Sequence, residues 1–92
     1  MQFQQLRSFR EVAAEMSFTR AARNLHYSQP SVTAHIKNLE DYIGAALFHR
    51  AGGRVQLTEA GMRLLPHVEK IILIAEAACI DAASAGRTRP AA

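Results

Sequence analysis

The 92-residue sequence is poor in residues that cross-link or stiffen a chain: it has one cysteine and three prolines. Because Cys79 is alone, no disulfide can form within the chain, which suits the reducing cytoplasm, the location we expect. No apolar run reaches the roughly 18 residues that a transmembrane helix needs. No charged leader followed by an apolar stretch opens the sequence, so we expect no secretory signal. These absences argue against a membrane protein and a disulfide-stapled secreted domain.

Motifs of catalysis and of metal binding are also missing. The sequence contains neither a nucleophile in a recognisable motif nor a phosphate-binding glycine loop, so we expect no enzyme. The four histidines are 9, 14 and 18 residues apart, and no cysteine or acid completes a metal-ligand spacing with them. We therefore expect neither a metal site nor a cofactor. Cys79 falls in an apolar row with Leu65 and Ile72, which predicts a packed, inert thiol.

Positive charge is concentrated in the first part of the chain. The composition, 49% hydrophobic and 21% charged, is that of one small globular domain. Residues 1–57 carry seven Lys and Arg against four Asp and Glu, whereas residues 58–92 carry four of each. The net charge of +3 thus lies where a polyanion would be attracted. A basic, solvated surface explains the same numbers, so charge alone does not identify a partner.

Apolar residues recur at helical spacing through the first half of the chain. This spacing predicts three helices, over residues 3–16, 19–25 and about 28–43. Ser17 and Ser28 are expected to be N-caps, and Gly44 is expected to end the third helix. The inward-facing residues are expected to be Phe3, Leu6, Phe9, Ala13, Met16, Ala21, Ala22, Leu25, Val32, Ile36, Leu39 and Ile43.

A hairpin is predicted after the third helix. Two short strand-like runs flank Gly52 and Gly53, and paired glycines favour a hairpin turn because positive φ costs them little. Since a lone hairpin is unstable in water, we expect this one to pack on the helices through Phe48, Val55 and Leu57.

A long fourth helix is predicted from Thr58 to Ala83, with Glu59 in its first turn. At 1.5 Å per residue it would be about 40 Å long, which is too long for so small a domain to cover. An uncovered apolar seam of this length indicates a partner helix. The residues expected in this dimer interface are Leu64, Val68, Ile71, Ala75 and Ala78.

The outer face of the third helix is small and polar near its N-terminus. A helix that enters a DNA major groove about 12 Å wide needs such a face. Gln29 could pair with adenine through its amide, Thr33 could contact a thymine methyl, and Lys37 could reach phosphate or guanine. Plain surface residues would show the same pattern, and His35 is expected at the boundary of the core rather than among base readers.

The second and third helices both open without an acidic residue in the first turn. Ser28 opens the third helix and Arg20 lies in the first turn of the second, so both positive helix ends suit a phosphate neighbour. Arg50 and Arg54 add two long cations near the hairpin tip, where they could enter a minor groove or clamp the backbone.

Five motifs occur in a fixed order along the chain. They are Ser17-Phe18-Thr19-Arg20-Ala21-Ala22, Ser28-Gln29-Pro30-Ser31-Val32-Thr33, Leu39-Glu40, Leu47-Phe48-His49-Arg50 and Leu57-Thr58-Glu59-Ala60-Gly61. Over about residues 1–85, this order and spacing closely resemble the N-terminal domain of LysR-type bacterial transcription regulators. Molybdate-responsive regulators, which have a similar winged domain, are the nearest alternative.

The resemblance implies a mainly α fold with three parts. A winged helix-turn-helix of three helices and a two-stranded β-hairpin would occupy residues 1–57, a linker helix for dimerisation 58–84, and a tail or hinge 85–92. The recognition helix, about 28–43, would lie in the major groove, and the wing, 48–57, on the backbone or in the minor groove. A homodimer would then read an interrupted palindrome in double-stranded DNA.

Matching positions of the family complete the set of candidate contacts. The family often has a long basic or polar residue where this chain has Ala34, so a contact is missing here or Lys37 replaces it. The full set of expected DNA-binding residues is Ser28, Gln29, Pro30, Ser31, Thr33, Ala34, Lys37, Arg20, Arg50 and Arg54.

Family members continue for some two hundred residues as an effector-binding domain. This chain ends where that domain would begin, so we expect a part of a longer protein or, alternatively, a natural short form. A small-molecule inducer would act only through the absent domain, and a full-length protein could be a tetramer. Two other functions stay open: a non-specific architectural DNA-binding protein, and a protein-interaction module that works through its last helix.

Overall fold

A computed structural model of the protein describes residues 1–87. The elements along the chain are α1 (Phe3–Glu15), α2 (Phe18–Leu25), α3 (Gln29–Ile43), β1 (Phe48–Ala51), β2 (Arg54–Leu57) and α4 (Glu59–Arg87). This architecture confirms the predicted mainly α fold with a hairpin wing and a long last helix. No helix within residues 1–87 is both long and apolar enough to cross a membrane.

The helix ends follow from local side-chain chemistry. The Ser17 hydroxyl accepts a hydrogen bond from the backbone N–H of Arg20 at 3.1 Å, and Ser28 accepts one from Ser31 at 3.2 Å. Both serines are therefore the N-caps that the sequence predicts. Gly44 ends α3 with φ of 84°, in the left-handed region where glycine carries no Cβ penalty.

The core lies where α1, α2, α3 and the first half of α4 meet. Its fully or nearly buried residues are Leu6, Phe9, Val12, Ala21, Ala22, Val32, Ile36, Leu39, Leu47, Val68 and Ile72. Three predicted core residues are wrong: Phe3, Met16 and Ile43 are 40%, 43% and 39% exposed. Each lies at an end of its helix or just beyond it, where the neighbouring helices no longer cover it.

The wing is a two-stranded antiparallel hairpin in which Phe48 pairs with Leu57 and Ala51 with Arg54. Gly52 and Gly53 form its turn with φ of 58° and 78°. Phe48, Val55 and Leu57 pack against the core, as predicted. The Phe48 ring also lies 5.4 Å from Phe9 and 5.8 Å from Phe18 between centroids, so aromatic contacts join the wing to the helices.

Helix α4 has 29 residues, which makes it about 43 Å long, and it stretches the molecule to 58 × 25 × 20 Å. It begins after Thr58, whose hydroxyl accepts from the Gly61 N–H at 3.0 Å. It continues to Arg87, three residues beyond the predicted end of the linker helix at 84. The rest of the predicted tail, 88–92, lies outside the described residues. Helix α4 contributes Val68 and Ile72 to the core, so the core extends across the predicted domain boundary at residue 57.

Candidate nucleic-acid interface

The start of α3 is held by hydroxyl groups that contact one another. The Ser28 and Ser31 hydroxyl oxygens are 2.8 Å apart, in addition to the capping bond between these residues. Ser31 is half-buried, whereas Gln29 and Pro30 are exposed. The serines therefore set the first turn of α3, and Gln29 and Pro30 are the residues that this turn presents to solvent.

The outer face of α3 is a shallow apolar and polar surface. Five of the predicted contact residues border one open depression on it: Gln29, Pro30, Thr33, Ala34 and Lys37. Ala34 leaves this depression wide because its side chain is a single methyl group. The Lys37 ammonium lies 3.6 Å from the Asp41 carboxylate one turn away, and both side chains are highly exposed. Such an exposed pair is weak, so phosphate could replace Asp41 as the partner of Lys37.

The three predicted arginines line one cleft between the start of α2 and the wing. Arg20, Arg50 and Arg54 border this cleft of about 740 Å³, together with Gln29. Within the described part of the chain, the ion pairs are Lys37–Asp41 and Arg63–Glu59, so these arginines have no carboxylate partner there. The cleft therefore carries uncompensated positive charge beside the N-terminus of α2.

The acidic residues of the first 57 positions are engaged elsewhere. The Asn24 amide donates to Glu11 at 3.0 Å and to Glu15 at 3.1 Å. Glu40 accepts from the buried Leu47 N–H at 2.7 Å, and Asp41 pairs with Lys37. None of these four carboxylates pairs with the arginines of the cleft, so the positive charge there is not neutralised by a neighbouring carboxylate.

Arg50 is positioned by an aromatic ring. Its guanidinium carbon lies 5.8 Å from the centroid of Phe18, a distance typical of a cation–π contact. Phe18 in turn packs edge-on against Phe48 of the wing. The contact holds a long side chain over the cleft and reduces the conformational entropy that Arg50 would lose on binding an anion.

Glu40 ties the end of α3 to the beginning of the wing. Its carboxylate accepts from the Leu47 N–H at 2.7 Å and lies 3.5 Å from the Phe48 nitrogen. Leu47 is fully buried, so its N–H would lack a partner without this carboxylate. Glu40 therefore fixes the wing relative to the outer face of α3.

The expected dimer interface on α4 divides into buried and exposed residues. The prediction for Val68 is wrong: it is fully buried in the core of its own chain and cannot meet a second one. Ile71 and Ala78 are exposed, while Leu64 and Ala75 are half-buried. Three further large apolar residues of α4, Leu73, Ile74 and Ile80, are 66%, 68% and 68% exposed. Cys79 is also exposed, which corrects the prediction of a packed thiol.

Sequence reasoning missed four residues that shape this surface. Thr19 donates a hydrogen bond to Gln29, Phe18 holds Arg50, Glu40 anchors the wing and Asp41 competes for Lys37. Only Asp41 had a clear signal, since it stands four residues after Lys37 on one helix. The other contacts join residues of different elements, and periodicity within one element does not reveal them.

The chain matches a family model over most of the part just described. The model for bacterial regulatory helix-turn-helix proteins of the lysR family matches residues 3–62. The chain is 46% identical over 76 residues to a probable RuBisCO transcriptional regulator of Thalassiosira pseudonana, over 83% of this chain and 25% of that protein. It spans about a quarter of the length of the curated relatives that it matches.

Solved structures agree with this match. The CbnR_DBD–DNA complex superimposes with a TM-score of 0.85 and 32% identity, covering 94% of this chain and 99% of that chain. The complex of BenM_DBD with catB site 1 DNA gives a TM-score of 0.85 and 28% identity, covering 98% of this chain and 100% of that chain. The chain therefore belongs to the lysR family of bacterial regulatory helix-turn-helix proteins.

Proposed function

We propose that this chain binds double-stranded DNA in a sequence-specific manner, as the DNA-binding part of a bacterial transcription regulator. The observation that carries the proposal is the position of Gln29, which borders both the depression on α3 and the arginine cleft. A base-reading face and a phosphate-binding surface are therefore continuous. The relatives support this function, since the two solved structures just compared are complexes with DNA.

The two parts of this surface have different chemistry and different tasks. Gln29, Thr33 and Lys37 lie on the exposed face of α3, which would enter the major groove and contact base edges. Arg20, Arg50 and Arg54 would bind phosphate oxygens on either side, or enter the minor groove next to the wing. The first group would give sequence preference, and the second would give most of the affinity and its dependence on salt.

We further propose that the binding species is a homodimer formed through α4. Ile71 and Ile74 support this proposal, because they expose large apolar side chains on the face of α4 that also carries Ala75 and Ala78. A dimer would place two copies of α3 in successive major grooves, about one helical turn apart, and its site would be an interrupted palindrome. In a longer protein, tetramer formation and control by an inducer would be added outside this chain.

Selection of bound duplexes from a random pool tests this proposal. Affinities of the selected sites and of scrambled controls should be measured at two salt concentrations. We expect an interrupted palindrome that binds at least about a thousandfold more tightly than the scrambled duplexes. If selected and scrambled duplexes bind alike with a steep salt dependence, the chain is only an electrostatic clamp and the proposal of specific binding is wrong.

Gln29→Ala provides the matched variant for base reading. It should cost roughly 1–3 kcal/mol of affinity at the selected site and relax the preference at one base pair. Equal losses on selected and scrambled duplexes would show that Gln29 does not read a base directly.

A further inference from the structure

The side chain of Gln29 is held from a second helix. Thr19, in the first turn of α2, donates a hydrogen bond from its hydroxyl to the Gln29 amide oxygen at 3.2 Å. The backbone positions at both ends are fixed by N-caps, since Ser17 caps α2 and Ser28 caps α3. A hydrogen bond between two rigid helix starts orients the amide group more strongly than one between two loops would.

This contact leaves a defined set of hydrogen-bonding groups free. An amide oxygen has two lone pairs and an amide nitrogen has two hydrogens. With one lone pair occupied by Thr19, Gln29 still offers one acceptor and two donors to solvent. The reversed amide would turn its NH₂ group towards the N-terminus of α2, where unpaired backbone N–H groups and the positive helix end favour an oxygen instead.

We propose that Thr19 is a positioning residue that fixes the amide orientation of Gln29 for adenine. This inference rests on the proposed function. Adenine presents an acceptor at N7 beside a donor at N6 in the major groove, and an amide with one acceptor and one donor side by side matches both. Guanine presents acceptors at N7 and O6. A freely rotating amide can direct its NH₂ group at the acceptors of guanine. The fixed amide instead places its oxygen, which is itself an acceptor, opposite guanine O6, so no hydrogen bond forms there.

The inference assigns Thr19 an effect on discrimination rather than on overall affinity. Its hydroxyl would contribute to the preference for adenine over guanine at one base pair only, the one that Gln29 contacts. Thr19 is uncharged, so its removal should leave the salt dependence of binding unchanged. A Thr19 that touched phosphate instead would act on every duplex alike.

Thr19→Val removes the hydroxyl and keeps the shape of the side chain, and Thr19→Ser keeps the hydroxyl. Both variants should be measured on the selected duplex and on copies with A·T replaced by G·C at each position. We expect Thr19→Val to reduce the preference for adenine about 3- to 10-fold, as the net loss of one hydrogen bond predicts. The change should be confined to the base pair that Gln29→Ala relaxes. Thr19→Ser should retain the wild-type preference.

A double-variant comparison tests whether Thr19 acts on base preference through Gln29. In a Gln29→Ala background, the further change Thr19→Val should alter neither affinity nor base preference, because the amide that it orients is gone. Equal weakening of every duplex by Thr19→Val, or an undiminished effect in the Gln29→Ala background, would overturn the inference. If the wild-type chain has no preferred duplex, the proposed function is wrong as well. Measurements on the wild-type chain alone detect that result, so the two failures can be distinguished. Thermal unfolding of each variant at the same concentration serves as the control for folding.

Discussion

Gly61 lies where α4 passes close to the segment that leads into the wing. A Cβ atom added there would collide with the carbonyl oxygen of Leu47 and lie 2.7 Å from Cδ2 of Leu57. The first of these atoms belongs to the backbone and cannot rotate away. The Leu47 N–H is itself bonded to Glu40, so the whole segment resists displacement. We therefore expect Gly61→Ala to destabilise the protein, although alanine favours a helix more than glycine does.

The magnitude follows from two opposing contributions. Overpacking a close contact costs about 1–3 kcal/mol, and a rigid backbone partner places Gly61→Ala in the upper half of that range. The higher helix propensity of alanine returns at most about 1 kcal/mol. The net loss in the free energy of unfolding should be about 1–2 kcal/mol, which lowers the melting temperature of a domain of this size by roughly 4–16 °C.

Gly86→Ala is the matched control for this prediction. Gly86 lies in the same helix, but an added Cβ atom would meet nothing within 4 Å. We expect this variant to unfold at the wild-type temperature or slightly above it. Thermal unfolding should be followed by circular dichroism at one protein concentration, because association through α4 would make the midpoint depend on concentration. Equal midpoints for Gly61→Ala and Gly86→Ala would refute the reasoning from the Leu47 contact.

Three further predictions concern DNA binding and assembly. Asp41→Asn frees Lys37 from its weak ion pair and should tighten duplex binding up to about fivefold at low salt. Asp81→Asn, which makes the same charge change on α4, should have a smaller effect. Equal effects of the two variants would mean that Lys37 makes no DNA contact. Arg54→Ala should weaken binding to all duplexes and reduce the slope of log affinity against log salt concentration by about one unit. An unchanged slope would mean that Arg54 does not contact phosphate. Ile71→Asp should dissociate a dimer by placing an unpaired charge in an apolar interface, and a dimer that persists in sedimentation would put the interface elsewhere.

Much of the fold follows from signals within single elements. Ser17, Ser28 and Gly44 mark helix ends through local backbone chemistry, and the paired glycines mark the wing, so these features were predicted at the correct positions. Phe3 was misplaced because periodicity identifies the apolar face of a helix but not how far along its length a neighbour covers it. Exposure at helix ends depends on tertiary packing, which no single helix encodes.

The division of α4 was the largest error of this kind. Val68 and Ile71 belong to one apolar repeat, and the sequence therefore assigned both to a partner chain. The structure buries Val68 in the core and leaves Ile71 40% exposed, because the domain body covers the face of α4 that carries Val68 and Ile72 and Ile71 is turned away from that face. The interface residues themselves remain a prediction, as do the DNA contacts of α3 and the wing.

The contacts between elements have a practical consequence for chimeric regulators. Gln29 on α3 is held by Thr19 of α2, and Arg50 on the wing lies over Phe18 of the same helix. A graft that moved α3 alone to another scaffold would separate Gln29 from Thr19, and a graft that moved the wing alone would separate Arg50 from Phe18. The smallest transplantable reading unit is therefore residues 17–57, and exchanges between regulators should keep α2 with the recognition helix that it serves.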